Sequence, residues 1–343
     1  MEKKPPRGQT ARSKPKGKGH GELRVGPRSY ALLEKLSAER ERYKAFDRHA
    51  GPKGDFRIIQ ILPFSERGLS YVQVLKRVAS GNDNAPTILD YGVVDGRIVL
   101  VLPWIPGPSL RDYMNAGRFG ISVFEAFRLF KGLSHGVSQL SYRKNIVHGD
   151  IKPENLVVCR EPKLHLVMID FGSAWTVERT ATRRPEDGET DRYAAPELRR
   201  GERFVDFRSD QFSVFAVFYE MLTGGRPYGG YGGMAADDGY EHCRDLVPPS
   251  KTCHDRTKLM DSVWAKIDAA TSQGLSLDRD RRFQGRREWL KAVKDIDYEF
   301  ERTSRLEGSN LALAKFVERA DRAWTTASSW LRRLTGRSDG AAK

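Results

Sequence analysis

Between His148 and Asn155 the chain places Asp150, Lys152 and Asn155 in one short loop that also contains Pro153. Two apolar runs follow, Leu156-Val157-Val158 and Leu164 to Ile169, parted by Glu161-Pro162-Lys163, and the second ends in Asp170-Phe171-Gly172. Pairing of these runs as a hairpin brings two carboxylates, an amide and an ammonium to one end of a small sheet. That set suits a metal-bridged polyphosphate. Asp170 and Asn155 offer hard oxygen ligands for Mg²⁺, Lys152 neutralises phosphate, and Asp150 is placed to take a hydroxyl proton. The competing account is a polar loop that carries its aspartates by chance.

The rest of the chain bounds what this loop can belong to. With 343 residues it can bury a full core, in one large or two modest domains. No run approaches the ~18 apolar residues a membrane-spanning helix needs, and no apolar stretch follows the basic start to suggest a secretory leader. The three cysteines make no disulfide framework and fit a reducing, cytoplasmic setting. His242-Cys243 and Cys253-His254 lack the close spacing of a zinc site. The net charge is +14, unevenly spread. Residues 1–28 hold nine Lys/Arg against two Glu and almost no apolar side chain. This composition predicts a disordered basic tail, with an acidic or anionic partner as one role and solubility as the other.

Short alternating runs lead up to the loop. Tyr30–Leu36, Arg42–Asp47 and Phe56–Pro63 read as strands, a helix spans roughly Ser65 to Ala79, and Ile88–Tyr91 and Arg97–Leu102 are two further strands. Ser122–Arg143 carries apolar residues at a helical period and runs into the loop. Gln211–Leu222 is apolar on nearly all sides and should be a buried helix, closed by Gly224. Residues 299–335 read as a helical tail that packs on its own domain or on a partner.

The order His148-Gly149-Asp150-Ile151-Lys152-Pro153-Glu154-Asn155, then Asp170-Phe171-Gly172, resembles the catalytic loop and metal-binding triplet of eukaryotic-type Ser/Thr protein kinases. Ala195-Pro196-Glu197 and Asp210 add to the likeness, which covers about Tyr30 to Tyr298. It implies an α+β, two-lobe fold: a five-stranded antiparallel small lobe over 29–103 and a mostly helical large lobe over 104–298, with a tail at 299–343. It also implies ATP and Mg²⁺ as cofactors and a protein substrate. Asp150 would be the base, Lys152 the phosphate cation, Asn155 and Asp170 the metal ligands. Thr190 would bridge Asp150 and Lys152, Glu197 would pair with Arg282, and Asp210 would accept hydrogen bonds from the catalytic loop. Pro103 and Ile105 would lie at the adenine-binding hinge.

The small lobe departs from that pattern. Where such kinases carry a glycine-rich loop, Ser37-Ala38-Glu39-Arg40-Glu41 has no glycine. Gln60 stands where the family's strand lysine is expected, Ile58 replaces the small residue that roofs the adenine, and Tyr71 to Val78 contains no acid to pair a lysine. Lys44, Arg42 and Arg40 are substitutes of the kind the with-no-lysine kinases use. Gly149 replaces the arginine that receives an activation-loop phosphate, a sequence also seen in small-molecule phosphotransferases. Lys152 and Asp210 favour the protein-kinase branch. Two functions follow as expectations: an atypical Ser/Thr kinase, or a pseudokinase acting as a nucleotide-sensing scaffold.

Overall fold

The computed structural model describes residues 21–304, apart from 39, 52–53, 79–83, 117–120, 177–191 and 203–204. Thr190, most of the basic tail and the tail beyond 304 therefore lie outside the described residues. The rest forms two compact units, one of 21–78 with Pro86–Ile105, the other of 84–85 with 106–304.

The first unit is a six-stranded antiparallel sheet with one helix. Its strands are β1 (Gly21–Val25), β2 (Arg28–Lys35), β3 (Arg42–Asp47), β4 (Asp55–Pro63), β5 (Asp90–Val94) and β6 (Arg97–Pro103), in the order β1-β2-β3-β4-β6-β5. Helix α1 (Glu66–Val78) starts where the Ser65 hydroxyl accepts the Gly68 N–H at 3.1 Å, an N-cap. Alternation sorts the faces: Val25, Tyr30, Leu32, Ala45, Ile59, Val99 and Val101 form one buried cluster. The sheet curls until its two edges meet, and a Cβ on Gly92 of β5 would stand 3.2 Å from Val25 of β1.

Three expectations are corrected here. The sheet has six strands instead of five, because β1 forms inside the segment assigned to the disordered tail. The charge of residues 1–28 hides a Leu23/Val25 alternation and a Gly26-Pro27 turn, and Val25 is 1% exposed. The small unit also runs to Ile105 instead of ending at 103. Residues 84–85, expected within it, belong to the second unit: Asn84 accepts the Met168 N–H at 2.7 Å and donates its amide to the Leu166 carbonyl at 2.7 Å.

The second unit is mostly helical: α2 (Leu110–Ala116), α3 (Val123–Lys144), α4 (Pro196–Arg199), α5 (Phe207–Thr223), α6 (Pro249–Thr252), α7 (Asp261–Gly274) and α8 (Arg286–Ser304). Two small sheets accompany it, β7 (Ile146–Val147) with β10 (Trp175–Thr176), and β8 (Leu156–Cys159) with β9 (His165–Met168). Ser122 caps α3 and exchanges hydrogen bonds with Glu125, and Asn145 ends it in the left-handed conformation at φ 56°. Every residue from Ser209 to Leu222 of α5 is buried, and Phe218 stacks on Phe130 of α3 with centroids 3.9 Å apart. Helix α8 passes the expected boundary at 298, because Phe300 is buried in a stack on Phe127, centroids 4.3 Å apart.

Candidate active site

The second unit assembles the loop group around two backbone devices. Asp210, fully buried in the first turn of α5, accepts the His148 N–H at 2.7 Å and the Gly149 N–H at 2.9 Å. This fixes the loop's entry. At its exit the Ile169 N–H donates to the Asn155 carbonyl at 2.8 Å, which ties the loop to the end of β9. His148 is buried, 4.5 Å centroid to centroid from Phe171, and burial holds its imidazole below the ordinary value, hence neutral.

Within that frame the Asn155 amide donates to the Asp150 carbonyl at 2.9 Å and to Asp150 Oδ2 at 2.7 Å. Both amide hydrogens are used, so Asn155 Oδ1 remains as an oxygen ligand. Lys152 Nζ lies 3.3 Å from Asp150 Oδ1. Burial pushes the Asp150 carboxyl above its usual range; Lys152 opposes the shift and the negative charge of Asp170 adds to it. Asp170 takes a left-handed backbone, φ 61°, and its Oδ1 accepts the Gly172 N–H at 3.3 Å. Asp150 thus touches both Lys152 and Asn155, with Asp170 near enough to act on the Asp150 charge.

Gly149 has φ +74°, and a Cβ there would stand 2.3 Å from Cζ3 of Trp175. The indole fills the space a side chain at 149 would use, and it packs against Ala194, Leu198 and Val205. A second tie involves Arg111 of α2. Its Nε donates to Glu154 at 2.8 Å, its Nη1 to Glu220 at 2.8 Å, and it also donates to the Tyr193 hydroxyl. Burial alone would lower the guanidinium pKa, but the Glu220 and Glu154 hydrogen bonds outweigh it and keep Arg111 charged. Tyr193 in turn donates to Glu220 at 2.6 Å. These bonds clamp the 148–155 loop, α2 and the end of α5 together.

Glu197 and Arg282 form a bidentate pair at 2.7 and 2.9 Å, with both side chains buried. Arg282 also donates to the Ser276 and Arg208 carbonyls and lies 5.0 Å from the Phe212 ring centroid, so Glu197 is its strongest partner among several.

In the first unit Gln60 is 3% exposed, and its Oε1 accepts the Tyr71 hydroxyl of α1 at 3.2 Å. The register sets Arg42 opposite Gln60 and Lys44 opposite Ile58, which pairs in turn with Leu102. Lys44 Nζ lies over Trp104 and Phe56, 4.2 and 4.8 Å from the ring centroids. Pro103 pairs with Arg57 at the end of β6, and Ile105 closes the unit. Tyr71, Trp175 and Arg111 were missed in the sequence. Tyr71 alone left a signal there, as the first residue of a helical stretch without an acid.

The protein kinase domain model matches residues 66–283, well over half of the chain. The chain is 33% identical over 178 residues to the probable serine/threonine-protein kinase PknB of Bifidobacterium longum, covering 51% of this chain and 25% of that protein. It is 30% identical over 189 residues to the serine/threonine-protein kinase PknB of Mycolicibacterium smegmatis, covering 54% and 28%. It therefore spans about a quarter of the length of the curated relatives it matches. Among solved structures, the Mycobacterium tuberculosis PknI kinase domain shares the fold, with TM-score 0.52 and 19% identity over 80% of this chain and 98% of that one. The chain belongs to the protein kinase domain family, among relatives that include bacterial Ser/Thr kinases.

Proposed function

We propose that the chain is an atypical Ser/Thr protein kinase, transferring phosphate from ATP in the presence of Mg²⁺ to hydroxyls of a protein substrate. The observation that carries this reading is the contact of Asp150 with both Lys152 and Asn155 beside Asp170. Asn155 Oδ1 and the Asp170 carboxylate are a hard-oxygen pair, and Mg²⁺ is commonly held by one or two protein oxygens together with substrate phosphates. The residues present therefore fit the metal. Bound Mg-ATP supplies the phosphoryl group and much of the charge neutralisation.

The side chains do the rest. Asp150 orients the acceptor hydroxyl and takes its proton, and its raised pKa makes it a stronger base than an ordinary aspartate. Asn155 orients the Asp150 carboxylate through its hydrogen bond, and Lys152 offers its ammonium to the transferring phosphate. In the first unit Gln60 supplies no charge, and Lys44 is engaged with two aromatic rings. Of the three substitute cations, Arg42 stands directly across from Gln60 and is our choice. Because Trp175 occupies the space over Gly149, switching by a phosphate bound at that position has no receptor there.

A second reading, the pseudokinase scaffold, is favoured by one observation: the buried Gln60–Tyr71 pair is neutral where the family resemblance places charge. Thermal melting with and without millimolar Mg-ATP, followed by labelled phosphate transfer to a basic protein, separates the two. Mg-dependent stabilisation with transfer supports the kinase. Stabilisation without transfer supports the scaffold, and the absence of both stabilisation and transfer removes a nucleotide role.

A further inference from the structure

The helical unit carries a groove of about 390 Å³ between α3 and α8, whose lining side chains are distinct from those of the candidate active site. Lys131 and His135 line it from α3, and Arg286, Arg287, Lys291 and Lys294 from α8. Among the described residues its remaining lining is Leu290, the buried Val293 and a single carboxylate, Asp297, which pairs with Lys131. Lys291 is bonded to Asp295 at 2.8 Å. Five lysines and arginines thus face two carboxylates, a surplus of three positive charges along one groove. Arg286 is held in place, its Nε donating to the Ser138 hydroxyl at 3.3 Å and its guanidinium 5.2 Å from the Tyr142 ring. His135 is kept below the ordinary histidine range by partial burial and, after that, by Lys131 and Arg286, which agrees with the positive field.

We infer that this groove binds an extended acidic peptide segment that carries an apolar residue among its carboxylates. Like charges gathered in a groove attract and orient an opposite partner. Leu290, half-buried among these cations, asks for one apolar side chain amid the acids. From Arg286 to Asp297 the helix rises by roughly 16 Å, which an extended chain spans with about five residues. The inference is independent of phosphoryl transfer and holds for the kinase and scaffold readings alike.

The test is fluorescence anisotropy of a labelled Glu-Glu-Leu-Glu-Glu peptide with the full chain at low salt. The comparison is with the Lys291→Glu/Lys294→Glu double variant, whose two sites are exposed and lie outside the candidate active site. We expect saturable binding by the native chain, at least tenfold weaker in the double variant and for a Gln-Gln-Leu-Gln-Gln peptide. Thermal melting of the variant should match the native chain, so that loss is not unfolding. Equal affinity of the two proteins would overturn the inference by placing binding elsewhere, including at the basic residues 1–28. Absence of binding at millimolar peptide would overturn it as well. So would phosphatidylserine vesicles or a single-stranded oligonucleotide that bind the native chain, lose affinity in the variant and are not displaced by the peptide.

Discussion

At the centre of the sheet unit a buried Gln60 meets the hydroxyl of Tyr71, while in the helical unit a buried Glu197 meets both nitrogens of the Arg282 fork. The first pair is neutral. Its loss strands no charge, and its net worth is that of an ordinary hydrogen bond, ~0.5–1.5 kcal/mol. The second is charged and dry, and removing one partner leaves the other buried, at ~3–5 kcal/mol. The same contrast runs through both units at the positions that the proposed phosphate chemistry would use. Asp150, Lys152, Asn155 and Asp210 are each fixed by named partners, whereas in the sheet unit Gln60 meets a hydroxyl and Lys44 lies over two aromatic rings. A region that keeps interlocked charges resists substitution one residue at a time. The family model begins at 66, beyond the first four strands.

Four experiments sharpen or break this contrast. The largest effect belongs to Asp150→Asn, which should cost ~10²–10⁴ in phosphate transfer and leave Mg-ATP stabilisation near the native level, since in the proposed mechanism this base touches the acceptor and not the nucleotide. The native acid limb should lie above the range of an ordinary aspartate, because burial raises this carboxyl. Transfer unchanged in the variant would assign the activity to a contaminant. Next, Glu197→Ala should lower stability of the helical unit by ~3–5 kcal/mol, read by denaturant unfolding. Burial alone would raise the Glu197 pKa, but the Arg282 hydrogen bonds and charge hold it below normal. Its contribution is therefore fully present above the unfolded pKa near ~4.3 and is lost as pH falls through the lower folded value. Native protein should lose this increment in acid and Glu197→Gln should not; parallel pH curves would show the pair to be worth little.

Gly149→Arg should cost ~1–3 kcal/mol, since the new side chain meets Trp175 and the backbone is left-handed. Gly149→Arg combined with Trp175→Gly should recover part of that loss, and full additivity of the two changes would remove the indole from the explanation. The smallest effect is Tyr71→Phe, at ~0.5–1.5 kcal/mol by thermal melting with no change in transfer rate. A large rate loss there would mean that the Gln60 pair serves the chemistry and that the sheet unit is not neutral in function.

The loop residues were legible because their chemistry is local: Asp150, Lys152, Asn155 and Asp170 lie on one loop and one hairpin, and strand pairing carries them together. Helix α3 was legible from its apolar period, and α5 from its apolar run and the glycine that ends it. β1 was not, since its two apolar residues were averaged into a basic window, and it forms only because Val25 finds the core of a curled sheet. The placement of Asn84 was equally hidden, because one loop residue can hydrogen-bond to whichever unit comes within reach.

The sequence by itself determined which groups could act on a polyphosphate and which family they resemble, because residue types and short spacings carry that information. Only the tertiary structure decided their partners. Trp175 over Gly149, Arg111 across Glu154 and Glu220, and Arg42 rather than Lys44 facing Gln60 depend on strand register and on side chains far apart in the chain. Burial decided the rest. A carboxylate has an ordinary pKa until neighbours exclude water from it, and which neighbours do so at Asp150 and Glu197 is set by packing across the whole unit.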